Sequence, residues 1–295
     1  PQIEQARTVS LDQLKAGFFY ILWGYYLKVV IADNCAVIAN CVFDSPEYYT
    51  GFSLLLGVFA FSLQIYGDFG GYSFIALGIS KLFGINLMIN FKRPYFVTNP
   101  REFWSRWHIS LSNWLKHYLY IPLGGNRKGN LRMHINLMIT MVLGGLWHGA
   151  SLNFVLWGIY HGILLCLYHY SMKYNFFSNT PKLLRWLGFL LIVGFSWVLF
   201  RIDNMDDFLM FIKKLPFFIF EKSYLLTFFI KPLLFILLIT IPFWIIEIIS
   251  EKKEQDTNFF IKNGSLLRGF SMSVLLIFIL IFGNFSEYEF IYFQF

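Results

Sequence analysis

The 295-residue chain is 57% hydrophobic and only 14% charged, against about 45–50% and about 25% for a soluble domain, which excludes a water-soluble globular protein. Its formal charge of +7 sits in short loops between apolar runs, a pattern that orients membrane helices, so no nucleic-acid partner is expected. Cys35, Cys41 and Cys166 show neither C-x-x-C spacing nor a disulfide framework and lie in or beside apolar segments, which predicts buried packing for each.

The opening stretch "PQIEQARTVSLDQLKAGFFYILWG" reads as a polar loop entering a helix, without a cleavable signal, and leads us to expect a piece of a longer polytopic protein. Asp12 to Val42 predicts one long helix, or a helix and a half, capped near Ser10, with Lys28 and Asp33 near its middle. The following "FDSPEYYTG" lacks Lys and Arg and is placed outside. Gly51 to Gly84 is apolar but is expected to break at "QIYGDFGGYS", where Gly67, Gly70 and Gly71 surround Asp68. A carboxylate in such a place must face protein or water, which makes Asp68 a functional candidate; the plainer reading is an Asp capping a helix end at an interface.

Lys81 to Arg106 carries Lys81, Lys92, Arg93, Arg101 and Arg106, interrupted by Pro94 and Pro100, and should face the cytoplasm. In "REFWSRWHISLSNWLKHYLYIPLGGNRKG" the spacing of Phe103, Trp107, Leu111, Trp114 and Tyr118 predicts one amphipathic helix, lying in the interface or dipping into the protein. From Ile135 to Trp147 there is only enough helix to span about 20 Å, short of a hydrocarbon core of about 30 Å. A break is therefore expected at "HGAS", followed by a second run from Leu152 to Tyr168. Basic loops at both ends make the pair a hairpin with His148 at its apex, where Gly144, Gly145 and Gly149 allow close approach. Three further runs, Leu183 to Phe200, Leu233 to Ile249 and Gly269 to Gly283, read as spans.

The histidines at 108, 117, 134, 148, 161 and 169 include no pair at i, i+3 or i, i+4 and no H-E-x-x-H, so no metal site is expected. There is no G-x-S-x-G elbow and no phosphate loop. What remains is a buried neutral imidazole acting as general base, which His148 fits best; the alternative for a lone histidine in such a place is an interhelical hydrogen bond. That alternative is preferred for His161 and His169.

The runs "QIYGDFGGYSFIALGISKLFG", "RPYFVTNPREFWSRWHISLSNWLKHYLYIPLGGNRKG" and "GGLWHGASLNFVLWGIYHG" resemble the membrane-bound O-acyltransferase family, in its bacterial branch of alginate O-acetylation and teichoic-acid D-alanylation proteins. The resemblance is strong from Gln64 to Gly162 and looser toward the C-terminus. It implies an all-α polytopic funnel with re-entrant or broken helices. Residues 1–295 would form a single membrane domain, the C-terminal two-thirds of a longer protein whose N-terminal part is missing. Within it, 64–162 would be the catalytic core and 285–295 an aromatic tail. On the family pattern His148 matches the catalytic histidine and His108 a second polar residue, while Trp147, Asn113, Asp68 and Tyr66 would line the funnel.

The resemblance further implies a multi-pass acyltransferase of the bacterial plasma (inner) membrane, surrounded by lipid and holding no cofactor. An acyl group, acetyl for preference, would arrive from the cytoplasm as a thioester of coenzyme A or an acyl carrier protein. It would leave for hydroxyls of an extracytoplasmic polysaccharide or wall polymer, with an esterase-like extracytoplasmic partner completing transfer. D-alanyl transfer is the alternative, and a transporter or a non-catalytic scaffold the reading from another class. His117 stands where relatives carry Asp, Phe74 where many carry the Asp of "GYSD", and Gly71 where Ser is frequent. The tail "FIYFQF" is aromatic where a terminus is ordinarily polar. It reads either as an interfacial anchor or as a segment presenting Tyr292 to His148 as an acyl relay.

Overall fold

A computed structural model describes residues 2, 4, 7–174, 179–202, 204–217, 223–253, 265–286 and 290. Of the described residues 78% are helical and none is in a strand. Four helical stretches there are long and apolar enough to cross a membrane, Leu11–Phe43, Gly51–Leu82, Leu152–Lys173 and Lys182–Arg201, and a bent pair makes a fifth if counted as one span. The chain is thus an all-α, multi-pass membrane protein. It divides into two compact units, Pro1–Ser45 with Tyr49–Asn90 and Phe217–Gln294, and Pro46–Tyr48 with Phe91–Pro216 and Phe295.

In the first unit the expected long N-terminal helix is present as α1 (Leu11–Tyr25), a π-helical stretch (Tyr26–Ala32) and α2 (Asp33–Phe43). Its start is a capping box: Gln13 N–H donates to Ser10 Oγ at 3.2 Å and Ser10 N–H to Gln13 Oε1 at 2.9 Å, satisfying two of the backbone donors a helix start leaves orphaned. Beside it runs α3 (Gly51–Leu82), and here the expected glycine break is absent, since the helix continues through Gly67, Gly70 and Gly71. The glycines serve packing instead. A Cβ on Gly24 would lie 2.6 Å from the Gly71 carbonyl oxygen, and one on Gly78 would lie 2.6 Å from that of Gly17. Two glycine pairs therefore let the backbones of α1 and α3 touch, as small residues do in membrane helix pairs.

That close approach brings three charges together. Lys28 Nζ, on the π-helical stretch, lies 2.8 Å from Asp33 Oδ1 and 2.7 Å from Asp68 Oδ1 on α3, and the two carboxylate side chains are 5% and 4% exposed. Asp68 is thus a mid-helix partner in a buried ion triad and not a helix cap. Phe74, which departs from the family pattern, is buried one helical face away and stacks on Tyr20 at 5.9 Å.

The run Leu233 to Ile249, expected as one span, is α10 (Ser223–Ile239) followed by α11 (Ile241–Lys252), with Ile230–Ile239 and Ile241–Lys252 meeting at 47° across Thr240. Pro242 has no N–H to continue the ladder, which accounts for the bend. The Tyr26 hydroxyl spans the gap, donating to the Ile239 carbonyl at 2.6 Å and accepting from Phe243 N–H at 3.2 Å. The last helix, α12 (Ser265–Phe282), ends on the same π-helical stretch: Asn284 N–H donates to the Val29 carbonyl at 2.8 Å and Asn34 Nδ2 to that of Phe282 at 2.9 Å.

The second unit holds α4 (Pro100–Arg106), α5 (Ile109–Leu115), α6 (Gly129–His148), α7 (Leu152–Lys173), α8 (Lys182–Arg201) and α9 (Met205–Lys214). The first arm of the expected hairpin, α6, is longer than its apolar run, because the polar turn from Gly129 is helical too. Its 20 residues give about 30 Å. The break itself falls at Gly149–Ser151, as expected. Around it α6 and α7 pack backbone to backbone: a Cβ on Gly145 would collide with the Phe154 carbonyl, and one on Gly158 with that of Met141. Of the cysteines, Cys35 is buried, Cys166 is partly buried, and Cys41 is exposed, its Sγ 3.0 Å from the Tyr49 hydroxyl. The expectation of burial thus fails at Cys41, on the outer face of α2.

The triad makes an asymmetric prediction. Lys28→Met leaves two adjacent buried carboxylates without their shared cation and should destabilise the protein by about 3–5 kcal/mol. Asp68→Asn, which keeps the Lys28–Asp33 pair, should cost clearly less. Unfolding of the detergent-solubilised protein measures both, and equal losses would contradict the shared-cation arrangement.

Candidate functional site

The polar residues of the second unit are positioned by two breaks in helical structure. The first divides the segment expected as one amphipathic helix. Between α4 and α5 Trp107 is extended (φ −103°, ψ 129°) and His108 is left-handed (φ 44°, ψ 54°). A non-glycine residue held there stores about 1–3 kcal/mol of strain, and such residues concentrate at functional sites. The break resets the helical face: Phe103, Trp107, Leu111 and Leu115 are buried, whereas Trp114 and Tyr118, expected on the same stripe, are 54% and 69% exposed. Its freed carbonyls are met locally, that of Arg106 by Lys92 N–H at 2.9 Å and that of Trp107 by the Ser112 hydroxyl at 3.2 Å. His108 is buried, with Nδ1 3.4 Å from Ser110 Oγ. Burial lowers its ring to about 4, so it is neutral at physiological pH.

The second break is the hairpin tip. His148 is the last residue of α6, and the chain turns through Gly149, whose N–H donates to the Leu146 carbonyl at 3.2 Å, and Ala150 to Ser151, where α7 is capped. Gly149 has no room for a side chain, because a Cβ would lie 2.6 Å from the Phe154 ring. The start of α7 is tied to the chain leaving α8, since Asn153 Nδ2 donates to the Ile202 carbonyl.

These two breaks converge. The Trp147 indole contacts both imidazoles, with its centroid 5.7 Å from the His108 ring and 5.1 Å from that of His148. His148 is half-buried and Trp147 is 55% exposed, so the pair is reachable from one side. The other side is aromatic: Trp157, Phe200 and Phe154 lie 5.2, 5.1 and 6.1 Å from the His148 ring. Nothing in the sequence marked Trp157 or Phe200 as neighbours of His148; they come from one and two helices further along.

The structure thus brings His108, Trp147 and His148 together. Asn113 is on the exposed face of α5, where its carbonyl accepts from His117 Nδ1 at 2.7 Å. Tyr66 and Asp68 belong to the first unit, Tyr66 donating its hydroxyl to Glu247 Oε1 at 3.1 Å. Tyr292 lies outside the described residues. The interhelical hydrogen bond expected of His161 is not seen among the described residues, where neither ring nitrogen has a hydrogen-bond partner, and the ring packs among Phe103, Trp104 and Trp157 at 6.0, 5.1 and 4.7 Å. His169 instead faces the His134 ring at 5.3 Å, near the open end of the hairpin.

Residues 4–212 match the sequence model of MBOAT, the membrane-bound O-acyltransferase family. Among similar proteins, "Probable alginate O-acetylase AlgI" of Pseudomonas fluorescens is 44% identical over 199 residues, 68% of this chain and 40% of that protein. "Peptidoglycan O-acetyltransferase" of Helicobacter pylori is 42% identical over 213 residues, 70% of this chain and 40% of that protein. "Teichoic acid D-alanyltransferase" of Bacillus subtilis is 30% identical over 199 residues, 64% of this chain and 50% of that protein. The chain therefore spans half or less of the length of these relatives. With the family model covering more than two-thirds of it, the chain belongs to the membrane-bound O-acyltransferase family.

Proposed function

We propose that this chain carries the acyl-transfer site of a membrane-bound O-acyltransferase, with His148 as general base. The enzyme would move an acyl group, acetyl for preference, from a cytoplasmic thioester to hydroxyls of an extracytoplasmic polysaccharide or wall polymer. The observation that supports this most is the contact of Trp147 with both His108 and His148 at the broken tip of the α6–α7 hairpin. The O-acetylating names of relatives above 40% identity favour acetyl over D-alanyl, whose namesake relative is 30% identical.

The chemistry asks little more than this. A thioester is already activated, so transfer needs a base for the acceptor hydroxyl, alignment, and exclusion of competing water. His148 takes the hydroxyl proton as the oxygen attacks the thioester carbonyl. The tetrahedral intermediate then collapses, the carbon–sulfur bond breaks, and the thiolate leaves with the proton that His148 returns. His108, neutral and strained into place, would border the cytoplasmic entrance and hold the thioester. Trp147 would shield the reacting carbonyl from water. The donor is coenzyme A or an acyl carrier protein, the surroundings a bacterial inner membrane, and the outer receiver an esterase-like partner.

In the full-length protein His148→Ala should lower polymer acylation about 10²–10⁴-fold while leaving it folded and inserted. His108→Ala should lower it less. Near-normal acylation by the first variant would remove His148 from the role of base, and equal losses at both sites would show the two rings acting as one unit. A second outcome concerns the tail, where the Phe290 ring packs tilted against Tyr72 at 4.9 Å. If Tyr292 relays the acyl group, mass spectrometry of the C-terminal peptide from turning-over enzyme should find an acyl-tyrosine, and Tyr292→Phe should stop transfer. An unmodified peptide with full activity in Tyr292→Phe would leave the tail as an anchor.

A further inference from the structure

A base that works as a neutral imidazole could be buried equally well by aliphatic side chains. His148 is enclosed by aromatic rings contributed by three helices. Trp147 comes from α6, Phe154 and Trp157 from α7 and Phe200 from α8, with ring centroids 5.1, 6.1, 5.2 and 5.1 Å from the imidazole, and the Trp157 and Phe200 rings stand nearly perpendicular to it, at 86° and 78°. Trp147 is its chain neighbour, but the other three are brought there by folding. They are also the dry part of the enclosure: Phe154, Trp157 and Phe200 are 6%, 1% and 2% exposed. Trp157 is itself held in place from behind by His161, at 4.7 Å, and it contacts Phe200 at 5.5 Å.

Aromatic faces attract cations placed within about 6 Å of the ring, and more strongly where water is excluded. His148 carries no positive charge before reaction and acquires one when it takes the hydroxyl proton. An interaction with that charge is made in the transition state and not in the ground state, which is the condition for accelerating the chemical step without tightening substrate binding. We propose that Trp157 and Phe200 form a π enclosure that stabilises the imidazolium of His148 as it forms, so that both are positioning residues acting through that ring. The inference rests on His148 being the base.

The test uses electronics at nearly constant shape. In the full-length enzyme Phe200 is replaced site-specifically by mono-, di- and trifluorophenylalanine, each fluorine draining the negative face of the ring while changing its volume little. The expected result is a stepwise fall in kcat, about tenfold across the series, with KM for the acyl donor unchanged. Trp157→Phe, which keeps a weaker π face, should lower kcat less than Trp157→Leu. His148→Ala measured beside them separates the two levels of the argument. If His148→Ala is inactive and kcat is flat across the fluorinated series, the enclosure is only packing and the inference is overturned while the base remains. If His148→Ala is fully active, the assignment of the base fails and the inference fails with it.

Discussion

A backbone N–H or C=O stranded in an apolar interior costs several kcal/mol, and in a chain of this composition little water is at hand to relieve it. That constraint is visible at several places where the described helices depart from a straight course. The Tyr26 hydroxyl serves both sides of the bend at Thr240, and Asn284 caps the carbonyl of Val29 on the π-helical stretch. At the two breaks of the second unit Lys92 and Ser112 meet the carbonyls freed beside His108, and Asn153 ties the hairpin tip to Ile202. Because specific partners meet or tether these breaks, they are fixed features. A fixed break can hold a polar side chain at depth where an unbroken helix would offer only its flank.

His148 and His108 use that opportunity in different ways. One is the last residue of a helix, with a glycine turn ahead. The other is held in a left-handed conformation that places its ring inward. On the proposed reading the base is neutral at rest and gains its charge only during turnover, and the surrounding rings would favour that charged form. The first unit places its charges differently: Lys28 is shared by Asp33 and Asp68, which ties the π-helical stretch and the start of α2 to α3.

The sequence made some of this legible and not the rest, for physical reasons. The hairpin and its apex could be read because "GGLWHGAS" combines small residues, an ionisable ring and a helix stop within one turn. Ser10 is a local capping signal, and it forms the expected cap, with Gln13 completing the box. The glycines of α3 misled, because the same residue serves a break or a close approach. Which one applies depends on Gly17 and Gly24 of a partner helix that composition cannot identify. The break at His108 carries neither Gly nor Asn, so only tertiary packing of Trp107 and His108 decides it. The walls of the His148 enclosure were hidden for the same reason, since Phe200 lies 52 residues from the ring it touches.

The most direct test of His148 as the proton acceptor is chemical rescue. In the full-length protein His148→Gly opens the space that the side chain fills, and acyl transfer is then measured with added imidazole and with methylated imidazoles of graded basicity. The account predicts an inactive variant whose transfer returns saturably with imidazole and increases with the basicity of the added base. Wild-type transfer by His148→Gly with no base added would contradict it.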